Sequence, residues 1–215
     1  MRVKCIYNAK KLPNITLNKN YSVYECEFLY EDGVKQYSCF RIQDDYGSII
    51  PYSARYFKII SDCTRNYTEK KVAENKYIVT CNQINYEGFW WQLYDAKVRA
   101  LDDFWKSKKE IYKLELTEDE FIQKITEDNE YERDCVITYL IEEKNECAIE
   151  QCIELCKNKL NAWGNINELE IIFEYLSIFN RDNIDKFFIE YLAESEKGNK
   201  KIDRIVDEYY NNVFE

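Results

Sequence analysis

Residues 21–33 read Tyr-Ser-Val-Tyr-Glu-Cys-Glu-Phe-Leu-Tyr-Glu-Asp-Gly, and this stretch decides the character of the first part of the chain. Tyr21 to Tyr30 is rich in aromatic and β-branched residues, which favour an extended strand. Glu31-Asp32-Gly33 then supplies a hairpin turn, because Asp-Gly adopts the positive backbone angles that tight hairpins need. The same reading extends outward on both sides. Val3, Cys5 and Tyr7 alternate with Lys4, Ile6 and Asn8, and a turn follows around Pro13-Asn14. Beyond the hairpin, Gln36–Ile42 forms the next run, and Asp44-Asp45-Tyr46-Gly47 is a second turn. It leads into Ser48–Pro51 and then Tyr56–Ile60. Five short strands joined by tight turns within residues 1–62 predict a small closed barrel, since closure removes exposed edges.

The order of these residues resembles a family pattern. Leu17, Lys19, Tyr21 and Val23, then Asp44, Asp45 and Gly47, then Tyr52 and Phe57 run as in a small SH3-like β-barrel found at the start of many uncharacterised bacterial and phage proteins. Asn18 stands where that pattern has glycine, a mild departure because asparagine also tolerates positive φ. The resemblance covers residues 1–62 and implies a fold, not an activity.

Residues 63–86 read as a connecting segment. Asn66–Asn75 is polar, as in a linker or exposed helix, while Tyr77–Cys81 leans toward strand. From Glu87 the period changes. Phe89, Trp90, Leu93, Tyr94, Val98, Leu101, Phe104, Trp105, Ile111 and Tyr112 recur at three and four, which predicts one long amphipathic helix. Thr117-Glu118-Asp119-Glu120 is a capping box opening the next helix. Further helices are predicted at about 130–143, 146–159, 166–179, 182–194 and 199–212.

These helices contain an echo. Tyr139-Leu140 recurs as Tyr175-Leu176 and Ile153-Glu154 as Ile189-Glu190; Cys152 answers to Phe188 and Cys156 to Leu192. A fixed offset between helix pairs predicts an α-solenoid of the HEAT-like kind, with a compact helical bundle as the alternative. The expected class is therefore α+β: an SH3-like barrel over 1–62, a connection over 63–86, and an acidic helical repeat domain over 87–215.

Charge separates the two ends. Residues 117–215 hold 25 acids against 11 bases, a balance of −14, whereas the preceding residues hold 15 acids against 19 bases. An acidic back half attracts basic surfaces and repels nucleic acid and anionic membrane. Histidine is absent, which excludes Ser-His-Asp and Cys-His mechanisms, His-ligated zinc and an imidazole pH switch. Nine cysteines without a Cys-x-x-Cys pair suggest neither a disulfide framework nor a zinc ribbon, and read as reduced, mostly buried thiols. The start of the chain lacks a long apolar run and no stretch approaches membrane-spanning length, so a cytoplasmic location is expected.

Glu142, Glu143, Glu146, Glu150 and Glu154 lie at helical spacing with Lys144 as the only base among them, and are the leading candidates for a partner-binding face. Trp91 joins them, because on a helix it points away from Trp90, whose phase matches the apolar stripe. Tyr46 and Tyr52 sit near barrel loops, where SH3-like folds present binding aromatics. Asp44-Asp45 reads as a turn whose side chains bond backbone amides rather than as a catalytic pair. Asp102-Asp103 and Asp119-Glu120 point about 100° apart on a helix and do not converge. No metal or cofactor is implied. The expectation is a non-enzymatic protein-binding protein whose acidic helices dock a basic partner, as a toxin-neutralising immunity protein or a phage inhibitor of host defence would. The alternatives are a histidine-free hydrolase using paired carboxylates and a nucleic-acid module acting through the barrel, which is disfavoured by 9 bases against 7 acids in residues 1–62. Oligomeric state is left open.

Overall fold

A computed structural model describes residues 1–7, 14–127, 129–161, 166–193 and 199–213. The chain is α+β: among the described residues, seven antiparallel strands precede eight α-helices. It divides into two compact units, Met1–Leu116 and Thr117–Glu215.

In the first unit the strands are β1 (Arg2–Cys5), β2 (Asn20–Glu31), β3 (Val34–Gln43), β4 (Ile49–Ser53), β5 (Phe57–Ser61), β6 (Tyr67–Lys71) and β7 (Lys76–Cys81). Their order is β4-β3-β2-β1-β5, with β7 on the far half of β2 and β6 beyond it. The Asp32-Gly33 hairpin forms as expected: Glu31 pairs with Val34, and the two intervening residues have φ of 52° and 79°. Asn18 takes φ 67°, the glycine-like conformation anticipated for it.

Three expectations are corrected by the structure. The sheet is open, since no ladder joins β4 to β5 among the described residues. Edges are guarded instead by local devices: Pro51 lies in β4, a register shift interrupts the β1–β5 ladder, and β6 carries Glu69, Lys70 and Lys71. Residues 63–86 supply β6, where a linker or exposed helix was expected, as well as β7, where Tyr77–Cys81 leaned toward strand. The sequence Tyr-Thr-Glu-Lys-Lys hides β6 because nearly all of it is exposed, leaving no apolar alternation to read. Lastly, the long tryptophan helix is two helices, α1 (Phe89–Tyr94) and α2 (Val98–Glu115). Ala96 at φ 52° breaks it, with the Ala96 amide bonded to the Leu93 carbonyl and the Lys97 amide to the Gln92 carbonyl. That pair of bonds is a Schellman closure.

A bulge gives the sheet two buried faces. Between Val23 and Glu25 the β2–β3 register gains one residue on β2. Tyr21 and Val23 face the inner core; after the bulge Cys26 and Phe28 do so, beside Phe40, Ile42 and Phe57. Tyr24, the extra residue, turns to the opposite face. There it meets Phe104 of α2 at 4.6 Å between ring centroids, in a second core with Ile84, Phe89, Leu93 and Ile111.

The second unit contains α3 (Glu118–Thr126), α4 (Glu130–Glu143), α5 (Ile149–Asn161), α6 (Glu170–Ser177), α7 (Asp182–Ala193) and α8 (Lys200–Val213). The Thr117 capping box forms in full: the Thr117 hydroxyl accepts from the Glu120 amide, and the Glu120 carboxylate accepts from the Thr117 amide. Neighbouring and alternate helices both pack together, α3 against α4 and α5 against α6 among the neighbours. α4 meets α6 and α6 meets α8, while α3 meets α5 and α5 meets α7. Cys152 and Phe188, equivalent in the sequence echo, are both fully buried, as are Leu140 and Leu176, but Cys156 is buried where its equivalent Leu192 is 39% exposed. No helix among the described residues is long and apolar enough to cross a membrane.

Candidate partner-binding surface

The five glutamates are distributed around the end of α4 and the start of α5. Glu142 and Glu143 occupy the last turn of α4. Lys144 then adopts φ 50°, and a second Schellman closure follows, with Lys144 donating to the Ile141 carbonyl and Asn145 to the Leu140 carbonyl. Glu146 lies in the connection, and Glu150 and Glu154 sit one turn apart on α5. All five are exposed. The continuous helical stripe expected from spacing is therefore split into a helix end, a connection and a helix face.

The connection is held in place from α6. The Tyr175 hydroxyl donates to the Asn145 carbonyl at 2.7 Å and accepts from the Ala148 amide at 3.3 Å. Asn145 in turn accepts from the Cys147 amide through its side chain, at 2.9 Å. Burial raises the Tyr175 phenol above its usual range, so it remains a neutral donor. Beside this pinned connection lies a groove of about 320 Å³, bounded by Glu146, Cys147, Glu150, Gln151, Arg181 and Asn183. Arg181 forks onto Glu146 through Nε and Nη2, which neutralises that one carboxylate. Burial pushes the Cys147 thiol up to about 11, so it stays protonated near neutral pH.

Sequence reasoning missed Arg181, Gln151 and Asn183. The signal was available: the helical echo sets the connection after α4 beside the one after α6, and thus Glu146 near Arg181.

Bases elsewhere in the second unit are similarly engaged. Lys124 pairs with Glu132, Lys157 with Glu190, Lys159 with Glu168, Lys201 with Glu170 and Arg204 with Glu208. Arg133 is 4% exposed and donates to the Ile125 and Glu127 carbonyls. Against 25 acids, these contacts occupy seven of the unit's 11 bases, Arg181 included, so the surface keeps a large uncompensated negative excess.

The aromatic candidates separate. Trp91 is 78% exposed and Tyr46 is 73% exposed, so both reach solvent. Tyr52 is instead a core side chain at 7% exposure, donating to Asp44 Oδ2 at 2.8 Å. Trp90, as its phase indicated, lies inward: its Nε1 donates to Glu25 at 3.0 Å and its ring stacks under the Arg41 guanidinium at 4.2 Å. Asp44 accepts from the Tyr46 and Ser48 amides, and Asp45 from Thr16 and Tyr21 hydroxyls. Asp44 bonds backbone amides of the turn as the sequence reading had it, whereas Asp45 is held by side chains, with Lys19 Nζ 2.9 Å from its Oδ1.

Comparison with protein-family models, with curated proteins and with solved structures finds no match to this chain.

Proposed function

We infer that this is a non-enzymatic binding protein whose acidic helical unit docks a basic partner protein. The observation that carries the reading is the coincidence of charge with architecture: the balance of −14 belongs to the unit Thr117–Glu215, most of whose bases are already engaged. Such a field steers a basic surface toward the helices and raises the association rate more than it raises affinity. Glu150 and Glu154 on α5, with Glu142 and Glu143 at the end of α4, are the contact residues of choice. Glu146, between them, is held by Arg181. A toxin-neutralising immunity protein or a phage inhibitor of host defence would act in this way, covering the basic channel of a nuclease. Within this reading the first unit is an SH3-like domain, supported by the strand order β4-β3-β2-β1-β5. The second is a HEAT-like solenoid, supported by the two rows of alternate helices and the sequence echo.

The test is capture of partners from the native cell with the unaltered protein and with a Glu142/Glu150/Glu154→Lys variant. Leaving Glu146 in place keeps its ion pair with Arg181 and so preserves the local fold. Loss of a specific basic partner supports the reading, and an unchanged partner set overturns it. For any partner found, the association rate should fall steeply as salt rises, because exposed charges are screened over about 8 Å at physiological ionic strength.

A further inference from the structure

The first unit carries an apolar face that this reading does not use. Trp91 and Tyr94 lie three residues apart on α1 and are 78% and 55% exposed; Val98 and Leu101 lie three apart at the start of α2 and are 74% and 46% exposed. The Schellman closure at Ala96 turns the chain from one pair to the next within three residues. Tyr94 is fixed in place, since its hydroxyl donates to the Ile49 carbonyl at 2.8 Å. Together these side chains leave about 500 Å² of apolar surface in water, at the upper end of what a monomer usually shows.

We propose that this face pairs with the same face of a second copy of the chain, through a two-fold axis near Trp91 and Val98. Two observations favour a copy over another occupant. The charged residues interleaved with these four in the sequence are Asp95, Lys97, Arg99 and Asp102, all exposed and two of each sign, so the segment carries no net charge and can meet its own copy with opposite signs opposed. Joining two such faces removes about 1,000 Å² of apolar area before any rim is counted, which reaches the lower bound for a specific dimer. Trp91 and Tyr94 are the rigid aromatic anchors such an interface needs. Each copy carries a net charge of −10. Copies therefore repel at long range, and screening that repulsion strengthens the pairing. This salt dependence is opposite in sign to that of a basic partner on the acidic helices, so failure of one proposal is distinguishable from failure of the other.

Sedimentation equilibrium on the full chain tests it. Mass should double with concentration in the micromolar to sub-millimolar range, and the dimer should tighten several-fold between about 0.05 and 0.5 M salt. Trp91→Ala and Val98→Glu should each weaken it at least about tenfold, with urea midpoints unchanged because both side chains are exposed. A single-chain mass up to roughly 0.5 mM in high salt overturns the proposal. So does a dimer that both variants leave intact, or one lost only on Ile189→Glu in α7, which would move the contact to the other unit.

Discussion

Glu25 on β2 ties β3, β7 and α1 together. Its Oε1 accepts from Arg41 Nε at 3.0 Å, and its Oε2 accepts from Thr80 at 3.2 Å and Trp90 Nε1 at 3.0 Å. The carboxylate is 15% exposed and the Arg41 side chain 17%, so removing one partner leaves the other charge mostly out of water. Glu25→Ala should cost about 2–3 kcal/mol, somewhat below the figure for a fully buried pair. Glu25→Gln, which keeps an acceptor for Trp90, should cost less. Urea unfolding followed by tryptophan fluorescence measures both; an Ala variant within 0.5 kcal/mol of the parent, a surface-like result, would show that the network is ornamental. None of this was legible in the sequence, because the partners lie 16, 55 and 65 residues away. By contrast Asn18, Asp32-Gly33 and Thr117 were legible, since each acts on backbone within a few residues of itself. The cysteines occupy a middle ground: burial of thiols was expected, but which ones was not. Cys5, Cys26, Cys81, Cys152 and Cys156 are buried, whereas Cys39, Cys63, Cys135 and Cys147 are partly exposed. A thiol reagent should label no more than these four in the native chain and all nine in denaturant. Mass spectrometry of labelled peptides will detect any departure, and rapid native labelling of Cys152 or Cys156 would contradict the core placement.

At the level of elements, periodicity located the helices well and their interruptions poorly. Sequence between Leu93 and Leu101 keeps its apolar phase straight through Ala96, with no glycine or proline to mark a break. Phe89 and Leu93 before the break and Ala100 and Phe104 after it all lie in the second core. The chain accepts a left-handed alanine between them, and likewise a left-handed lysine at Lys144. A residue with a Cβ carries about 1–2 kcal/mol of strain there, part of which glycine gives back through its freedom in the unfolded chain. Ala96→Gly and Lys144→Gly should each stabilise by about 0.5–1 kcal/mol, seen as a higher urea midpoint with unchanged slope. Either variant lowering the midpoint would argue against the closures at these positions. Ala96→Val runs the other way and should destabilise by more than either glycine stabilises, because β-branching tolerates positive φ least. The β2 bulge is a comparable case. Consecutive burial of Val23 and Tyr24 cannot be read from alternation, yet it is what allows one strand to serve two cores.

For the whole molecule, the charge division was the most legible feature and the shape of the acidic surface the least. Counting residues located the excess in the helical part, but the splitting of the glutamates by the Lys144 turn, and the Glu146–Arg181 pairing, depend on how successive connections stack. A consequence of the molecule's composition appears at high pH. Among its buried ionisable groups are several thiols and phenols and no histidine. Burial pushes Cys26, Cys81 and Cys152 each up to about 12, and raises Tyr21, Tyr67 and Tyr175 above the usual phenol range. Each of these groups holds its proton more tightly folded than unfolded. Their contribution to stability is thus complete below the ordinary thiol value of 9.0 and disappears as pH rises toward the folded value. Between those limits the unfolded chain binds fewer protons than the folded one, so stability falls with pH, by up to about 1.4 kcal/mol per pH unit for each group that ionises only on unfolding. With reductant present throughout, the urea midpoint should be level between about pH 7 and 8.5 and should drop progressively above about pH 9.5. Replacing Cys152 by Ala should shallow that drop even though it creates a cavity and lowers the midpoint at neutral pH. A midpoint that stays level to about pH 10.5 would mean that these thiols and phenols reach solvent in the folded chain.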